Sequence, residues 1–234
     1  MMTEACLNPA VYFPCWYNPT MKIANKTAGT LFFQSVETAW GTAGFIYHIA
    51  TDDEGKSGLT NIRSNALILR IFTACPDVGQ LAALVKRNFP DGFTVPPSKN
   101  RPGFVTPLIS FLQYYYNTRP AGKRTLMVKN VGTPQEIVAF LDWSAVGAFD
   151  RLVLRETLKI RPGGTLTYGQ LAAKIGRPRA ARAVGAALGR NPWPVLIPCH
   201  RVVGKDGKLT GFSGFGGVRA KQRMLDMERK MVRT

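Results

Sequence analysis

Short apolar and aromatic runs dominate the first half of the chain, and helical spacing dominates the second. Leu31-Phe32-Phe33 and the run Gly44-Phe45-Ile46-Tyr47-His48-Ile49-Ala50 predict two strands, with Trp40-Gly41 as the turn between them. Asp52 to Gly58 is turn-like. Ala66-Leu67-Ile68-Leu69-Arg70-Ile71-Phe72 fits a further strand or the start of a helix. Asp77 is placed to cap a helix reaching about Phe89, with Leu81, Leu84 and Val85 on its buried face. A loop follows over 90–102. Residues 104–116 form an apolar core helix, in which Tyr114-Tyr115-Tyr116 is packing rather than a platform for stacked bases. A strand is expected near 137–141, within a linking segment that reaches 148. Residues 1–30 are irregular and rich in Pro and Asn.

In the second half, 149–160 has the spacing of an amphipathic helix, stopped by Arg161-Pro162-Gly163-Gly164. Thr167 and Gln170 stand at capping-box spacing, so a short helix runs from there to about Ile175. Gly176-Arg177-Pro178 turns the chain, and Pro178 suits the first position of a helix over 179–188 that Gly189 ends. Helix, tight turn and second helix make a helix-turn-helix reading. The second helix offers arginines and alanines but no Asn or Gln to read base edges, which suits the minor groove better than the major.

Charge sharpens this picture. The 234 residues carry 31 Lys+Arg against 14 Asp+Glu, a formal net charge of +17. Residues 151–234 hold 18 basic and four acidic side chains, so most of the excess lies in the second half. A basic half beside a nearly neutral one points to a polyanion, nucleic acid first. No apolar run approaches the roughly 20 residues of a membrane span. Neither a secretory signal nor a disulfide framework is legible, which places the chain in a reducing, intracellular setting. Cys6, Cys15, His48 and Cys75 lack the close pairs of a zinc site, so no metal is expected.

The chemistry-bearing stretch is Pro198-Cys199-His200-Arg201-Val202. Proline fixes the local backbone, and an imidazole beside a thiol favours the nucleophilic thiolate. On that ground the pKa of Cys199 is expected below that of a free cysteine, about 8.5.

Four blocks then carry a family resemblance. They are Thr167-Tyr168-Gly169-Gln170-Leu171-Ala172, Ala180-Ala181-Arg182-Ala183-Val184-Gly185, Gly189-Arg190-Asn191-Pro192-Trp193-Pro194 and Ile197-Pro198-Cys199-His200-Arg201-Val202-Val203. In order and spacing they resemble the alkylguanine-DNA alkyltransferases, also called methylated-DNA–protein-cysteine methyltransferases. Gly211-Phe212-Ser213, Lys221 and Glu228 continue the pattern. The resemblance covers about residues 143–229 and is weak before that. It implies an N-terminal extension over 1–30 and an α/β N-terminal domain, a small sheet with helices, that occupies 31–142 with its linker. It also implies a mainly helical C-terminal domain with a winged helix-turn-helix over 143–234.

The implied activity is suicidal DNA repair without cofactor. O6-alkylguanine is flipped from double-stranded DNA, and its alkyl group passes irreversibly to Cys199. The resemblance implies that Glu228 holds His200 and that His200 takes the thiol proton through a water. Asn191 braces the turn before Cys199. Tyr168 and the Ser213 backbone bond the guanine as it leaves, main-chain carbonyls near Cys199 and Val202 read its exocyclic amine, Pro194 packs against it, and Lys221 assists. Arg182 fills the vacated place in the stack, with Ala180, Ala181, Arg190 and Arg201 also at the DNA. The expected protein is a monomer with no obligate protein partner, cytoplasmic and nucleoid-associated in a prokaryote or nuclear in a eukaryote.

Two departures stand out. The loop from Gly211 to Gly217 is about two residues longer than in many relatives, with Phe212 where tyrosine is frequent and Phe215 inside it. Either it alters which alkyl groups fit, or it is a glycine-rich loop of variable length. Three other functions fit less well. A non-catalytic lesion-recognition module has no need of Cys199, a sequence-specific regulator needs base-reading side chains on the second helix, and a cysteine hydrolase needs a distant histidine, for which only His48 is left.

Overall fold

The computed structural model describes residues 29–50, 66–96, 101–117 and 134–233. Cys6, Cys15, nearly all of the 1–30 extension and the Asp52–Gly58 turn lie outside the described residues. Strand β1 (Gly29–Thr38) pairs antiparallel with β2 (Gly41–Ala50), and β2 pairs antiparallel with β3 (Ala66–Cys75). Gly41 is required at its turn: its φ is +108°, and a Cβ there would lie 1.8 Å from the Cys75 carbonyl oxygen. The strand-or-helix alternative at 66–72 resolves as strand, where β-branched Ile68, Ile71 and Thr73 fit the pleated surface. Neither outer strand is left as a bare edge. Phe33 N donates to Thr94 O (3.0 Å) beside β1, and Ile68 N donates to Phe140 O beside β3.

Helix α1 (Val78–Asn88) is capped by Asp77, whose carboxylate accepts from Gln80 N at 2.9 Å. Leu81 and Val85 bury one sheet face together with Ile46, Phe72 and Phe89, while Leu84 is only partly buried. Helix α2 (Val105–Asn117) covers the opposite face through Leu108, Phe111, Leu112, Tyr115 and Tyr116. The strand expected near 137–141 does not form. Helix α3 (Pro134–Val138) occupies its start, because proline at a first helical position has no N–H to lose, and only Leu141 bridges to β3. Cys75 faces Thr42 and His48 sits six residues further along β2, about 20 Å away at strand rise. These two cannot ligate one ion.

The second half contains α4 (Ala148–Thr157), β4 (Leu166–Thr167), α5 (Tyr168–Lys174), α6 (Ala181–Gly189), β5 (Val202–Val203) and α7 (Gly217–Arg233). The capping box at α5 is complete: Gln170 N donates to Thr167 Oγ1 at 3.1 Å, and Thr167 N donates to Gln170 Oε1 at 2.8 Å. Helix α6 starts two residues later than expected. Pro178 instead occupies a turn closed by Ala180 N donating to Arg177 O at 2.8 Å, where the fixed φ of proline suits the second turn position.

One continuous hydrophobic core spans both halves. Ile71 N donates to Pro192 O at 2.8 Å, Phe215 N to Thr73 Oγ1 at 2.9 Å, and the Arg223 guanidinium lies 3.8 Å from the Trp40 ring centroid. Trp193 is fully buried at this junction, and its indole N–H donates to Ile68 O at 3.0 Å. No described helix is long and apolar enough to cross a membrane. Trp193→Ala removes both the largest buried ring and that bond, and is expected to cost about 3–5 kcal/mol in chemical denaturation.

Candidate active site

The site is assembled by two short strands. β4 and β5 pair in parallel, Leu166 with Val202 and Thr167 with Val203, which sets the first residue of α5, Tyr168, beside the chain leaving Cys199. The approach to Cys199 is equally constrained. Asn191 Nδ2 donates to Ile197 O at 2.9 Å, and its Oδ1 accepts from Trp193 N at 3.0 Å. Within this bend Val195 has φ +74°, an unfavourable conformation for a β-branched residue that the surrounding bonds hold in place. Half-buried Pro194 lies in the same bend. Cys199 opens a 3-10 turn, Cys199–Arg201, and is 7% exposed.

Behind the cysteine lies a buried charge cluster centred on Glu228 of α7. Glu228 Oε1 accepts from His200 Nε2 (2.9 Å), Arg201 Nη2 (2.8 Å) and the Tyr115 hydroxyl (3.0 Å), and Oε2 accepts from Arg201 Nε (2.8 Å) and Gly163 N (3.2 Å). Burial alone pushes the carboxyl up. The hydrogen bonds from His200 and Arg201, with the positive charge of Arg201, outweigh it and hold the group at about 2. Burial lowers the pKa of His200, against the pull of Glu228, so the imidazole is neutral at neutral pH. A carboxylate only accepts, so the ring's one proton sits on Nε2. That leaves Nδ1, buried and with no hydrogen-bond partner among the described residues, as an acceptor.

The expected depression of the Cys199 pKa does not occur. Burial pushes the thiol up, outweighing the Asn191 hydrogen bond and the Lys221 charge, which act the other way. A neutral His200 brings no positive charge to favour the thiolate. The resting residue is therefore a thiol beside a base.

Lys221 is fully buried. Its ammonium donates to Val202 O (2.7 Å), Thr210 O (3.1 Å) and Gly211 O (3.2 Å), and lies 3.5 Å from the Tyr168 hydroxyl. Burial brings its pKa to about 8. The Tyr168 hydroxyl donates to Thr210 O at 2.9 Å. Lys221 thus ties β5, the 210–217 loop and α5 into one wall. Ser213 is exposed on that loop, which the Phe215–Thr73 bond ties to β3.

The remaining residues divide. Arg182 is exposed on α6, one turn before Gly185, and a Cβ at Gly185 would lie 3.6 Å from the Tyr168 ring. Arg182 therefore stands on the face of α6 that adjoins Tyr168, with Ala180 and Ala181 partly exposed at the start of the helix. Arg201 corrects the expectation of a DNA contact. It is 8% exposed, forks onto both oxygens of Glu228 and donates from Nη1 to Ile160 O at 2.6 Å. Arg190 is exposed but paired in bidentate fashion with Asp150, at 2.7 Å for each bond. Tyr115 and Gly163 carry no sequence signal of a site. The tyrosine run reads as packing, and the glycine as a helix stop. Only the fold brings them to residue 228.

Residues 148–230 match the family model described as the DNA binding domain of 6-O-methylguanine DNA methyltransferase. Curated relatives include methylated-DNA–protein-cysteine methyltransferases of Mycolicibacterium paratuberculosis, 50% identical over 35% of this chain and 48% of that protein, and of Salmonella typhimurium, 41% identical over 47% and 64%. The chain thus spans about half to under two thirds of the length of these relatives. Among solved structures, O6-methylguanine methyltransferase of Mycobacterium tuberculosis aligns over 86% of this chain and 94% of its own, at TM-score 0.54 and 24% identity. The O6-methylguanine-DNA methyltransferase of Pyrococcus kodakaraensis aligns over 85% and 99%, at TM-score 0.51 and 19% identity. The mixed α/β fold is therefore shared across both halves, and over residues 148–230 the chain is similar to the DNA binding domain of the 6-O-methylguanine DNA methyltransferases.

Proposed function

We propose that this protein repairs O6-alkylguanine in double-stranded DNA by moving the alkyl group onto Cys199, once per molecule. The observation that carries this reading is the buried Glu228–His200 pair behind Cys199, with His200 Nδ1 free to accept a proton. Supporting it is the likeness to methylated-DNA–protein-cysteine methyltransferases over the segment that holds these residues.

In this reading the thiol proton passes through a water to His200 Nδ1, and Glu228 stabilises the imidazolium. Thiolate sulfur attacks the alkyl carbon, the carbon–O6 bond breaks, and guanine leaves with the electron pair. The Tyr168 hydroxyl turns from Thr210 O to the base, and with the Ser213 backbone it offsets the developing charge. The guanine takes up the displaced proton. A thioether on Cys199 has no hydrolytic way back.

Helices α5 and α6, with the turn at Pro178, serve as a helix-turn-helix, and the β4–β5 segment with the loop after it serves as a wing. The two functional units are residues 31–142 and 143–234. Binding relies on phosphate charge more than on base edges. Arg182 enters the stack as the lesion flips out, which requires a base extruded from the duplex.

Three outcomes test this. Mixing the protein with duplex DNA containing O6-methylguanine should add one methylene mass to the Cys199 peptide and no more at excess substrate. Cys199→Ala should abolish the gain yet bind DNA, and methyl on Cys75 would contradict the assignment. Iodoacetamide reactivity of Cys199 should rise with pH around a midpoint above about 8.5. Methyl transfer should instead fall only as the pH drops through the lowered pKa of His200, below 6.5. Coincident profiles would mean a preformed thiolate. Arg182→Ala should slow repair of duplex roughly tenfold or more while leaving reaction with the free alkylguanine base nearly unchanged. Equal losses would make Arg182 a pocket residue.

A further inference from the structure

We infer that Tyr115, supplied by α2 from outside the segment matched by the family model, is a positioning residue for the proton transfer, its hydroxyl tempering the charge of Glu228 where that charge meets His200. The inference rests on the reading of His200 as base. The hydroxyl lies 3.0 Å from Glu228 Oε1 and 3.0 Å from His200 Nε2, so one oxygen touches both members of the pair. Tyr115 is 3% exposed, and its ring is wedged between Tyr116 (centroids 5.4 Å apart, edge-on) and His200 (6.0 Å). Burial raises its pKa well above the ordinary value, so the O–H stays protonated and donates throughout.

The groups acting on His200 are Glu228 and Lys221 of α7, Arg201 of its own turn, and Tyr115 of α2. Arg201 and Gly163 hold the carboxylate in place. Tyr115 alone of these donors also reaches the ring. Its proton takes a share of the Oε1 charge that would otherwise act on the imidazolium, so it sets how basic Nδ1 is.

Tyr115→Phe keeps the ring and deletes the hydroxyl. In the full-length protein, single-turnover transfer from an O6-methylguanine duplex should not slow at pH values above the acid limb, where the more basic Nδ1 still accepts the thiol proton, with DNA affinity unchanged. The acid limb of the rate–pH profile should move up by about one unit, because an untempered Glu228 favours the imidazolium. Site-specific 3-fluorotyrosine, a stronger donor of nearly the same shape, should move that limb down. An unmoved limb in both variants, with or without a slower rate, would overturn the inference and leave Tyr115 as packing. Failure of the unaltered protein to methylate Cys199 would overturn the proposed function instead.

Discussion

A carboxylate buried where no water reaches it is the constraint around which this protein is arranged. An uncompensated charge of that kind is costly enough that the group would take up a proton instead. Glu228, on α7, stays ionised because five donor groups converge on it from three other places in the chain: Tyr115 on α2, Gly163 in the turn after α4, and His200 and both arms of Arg201 in the turn that begins at Cys199. The cluster is thus a fastening as well as a piece of chemistry. Any displacement of these segments leaves charges unpaired, which ties the geometry beside Cys199 to the integrity of the whole core.

Much of this was legible in the sequence wherever local chemistry decides the outcome. Asp77, the Thr167–Gln170 box and the Arg161–Gly164 turn act through groups a few residues apart, so their spacing suffices. The strand–turn–strand start is local in the same sense. Failures came where distant contacts decide. Residues 137–141 have strand-like side chains, but the preceding proline begins a helix and β3 recruits only Leu141. Pro178 fits either a helix start or a turn, and the contacts around Arg177 choose the turn.

The site divides along the same line. Cys199, His200 and Asn191 lie close together in sequence, and Glu228 and Lys221 were reachable through the family pattern. Arg201 misleads in sequence because a charged residue beside a nucleophile in a basic segment looks like a phosphate ligand. Only the fold shows its guanidinium committed to Glu228 and Ile160. Tyr115 carries no signal that separates it from its neighbour Tyr116, whose hydroxyl faces Ala74 N at 3.4 Å. The Cys199 pKa is hidden from sequence for a related reason: proximity to an imidazole is visible there, whereas the burial that raises the thiol and keeps that imidazole neutral is not.

The central claim is that His200 rests as a neutral imidazole protonated on Nε2, with Nδ1 ready to accept the thiol proton. The chain contains only two histidines, so its imidazole nitrogens can be assigned by 15N NMR with one His200→Gln control. At neutral pH the account predicts that His200 Nε2 bears the proton and Nδ1 has the shift of an unprotonated ring nitrogen. A proton on Nδ1, or on both nitrogens, would contradict it.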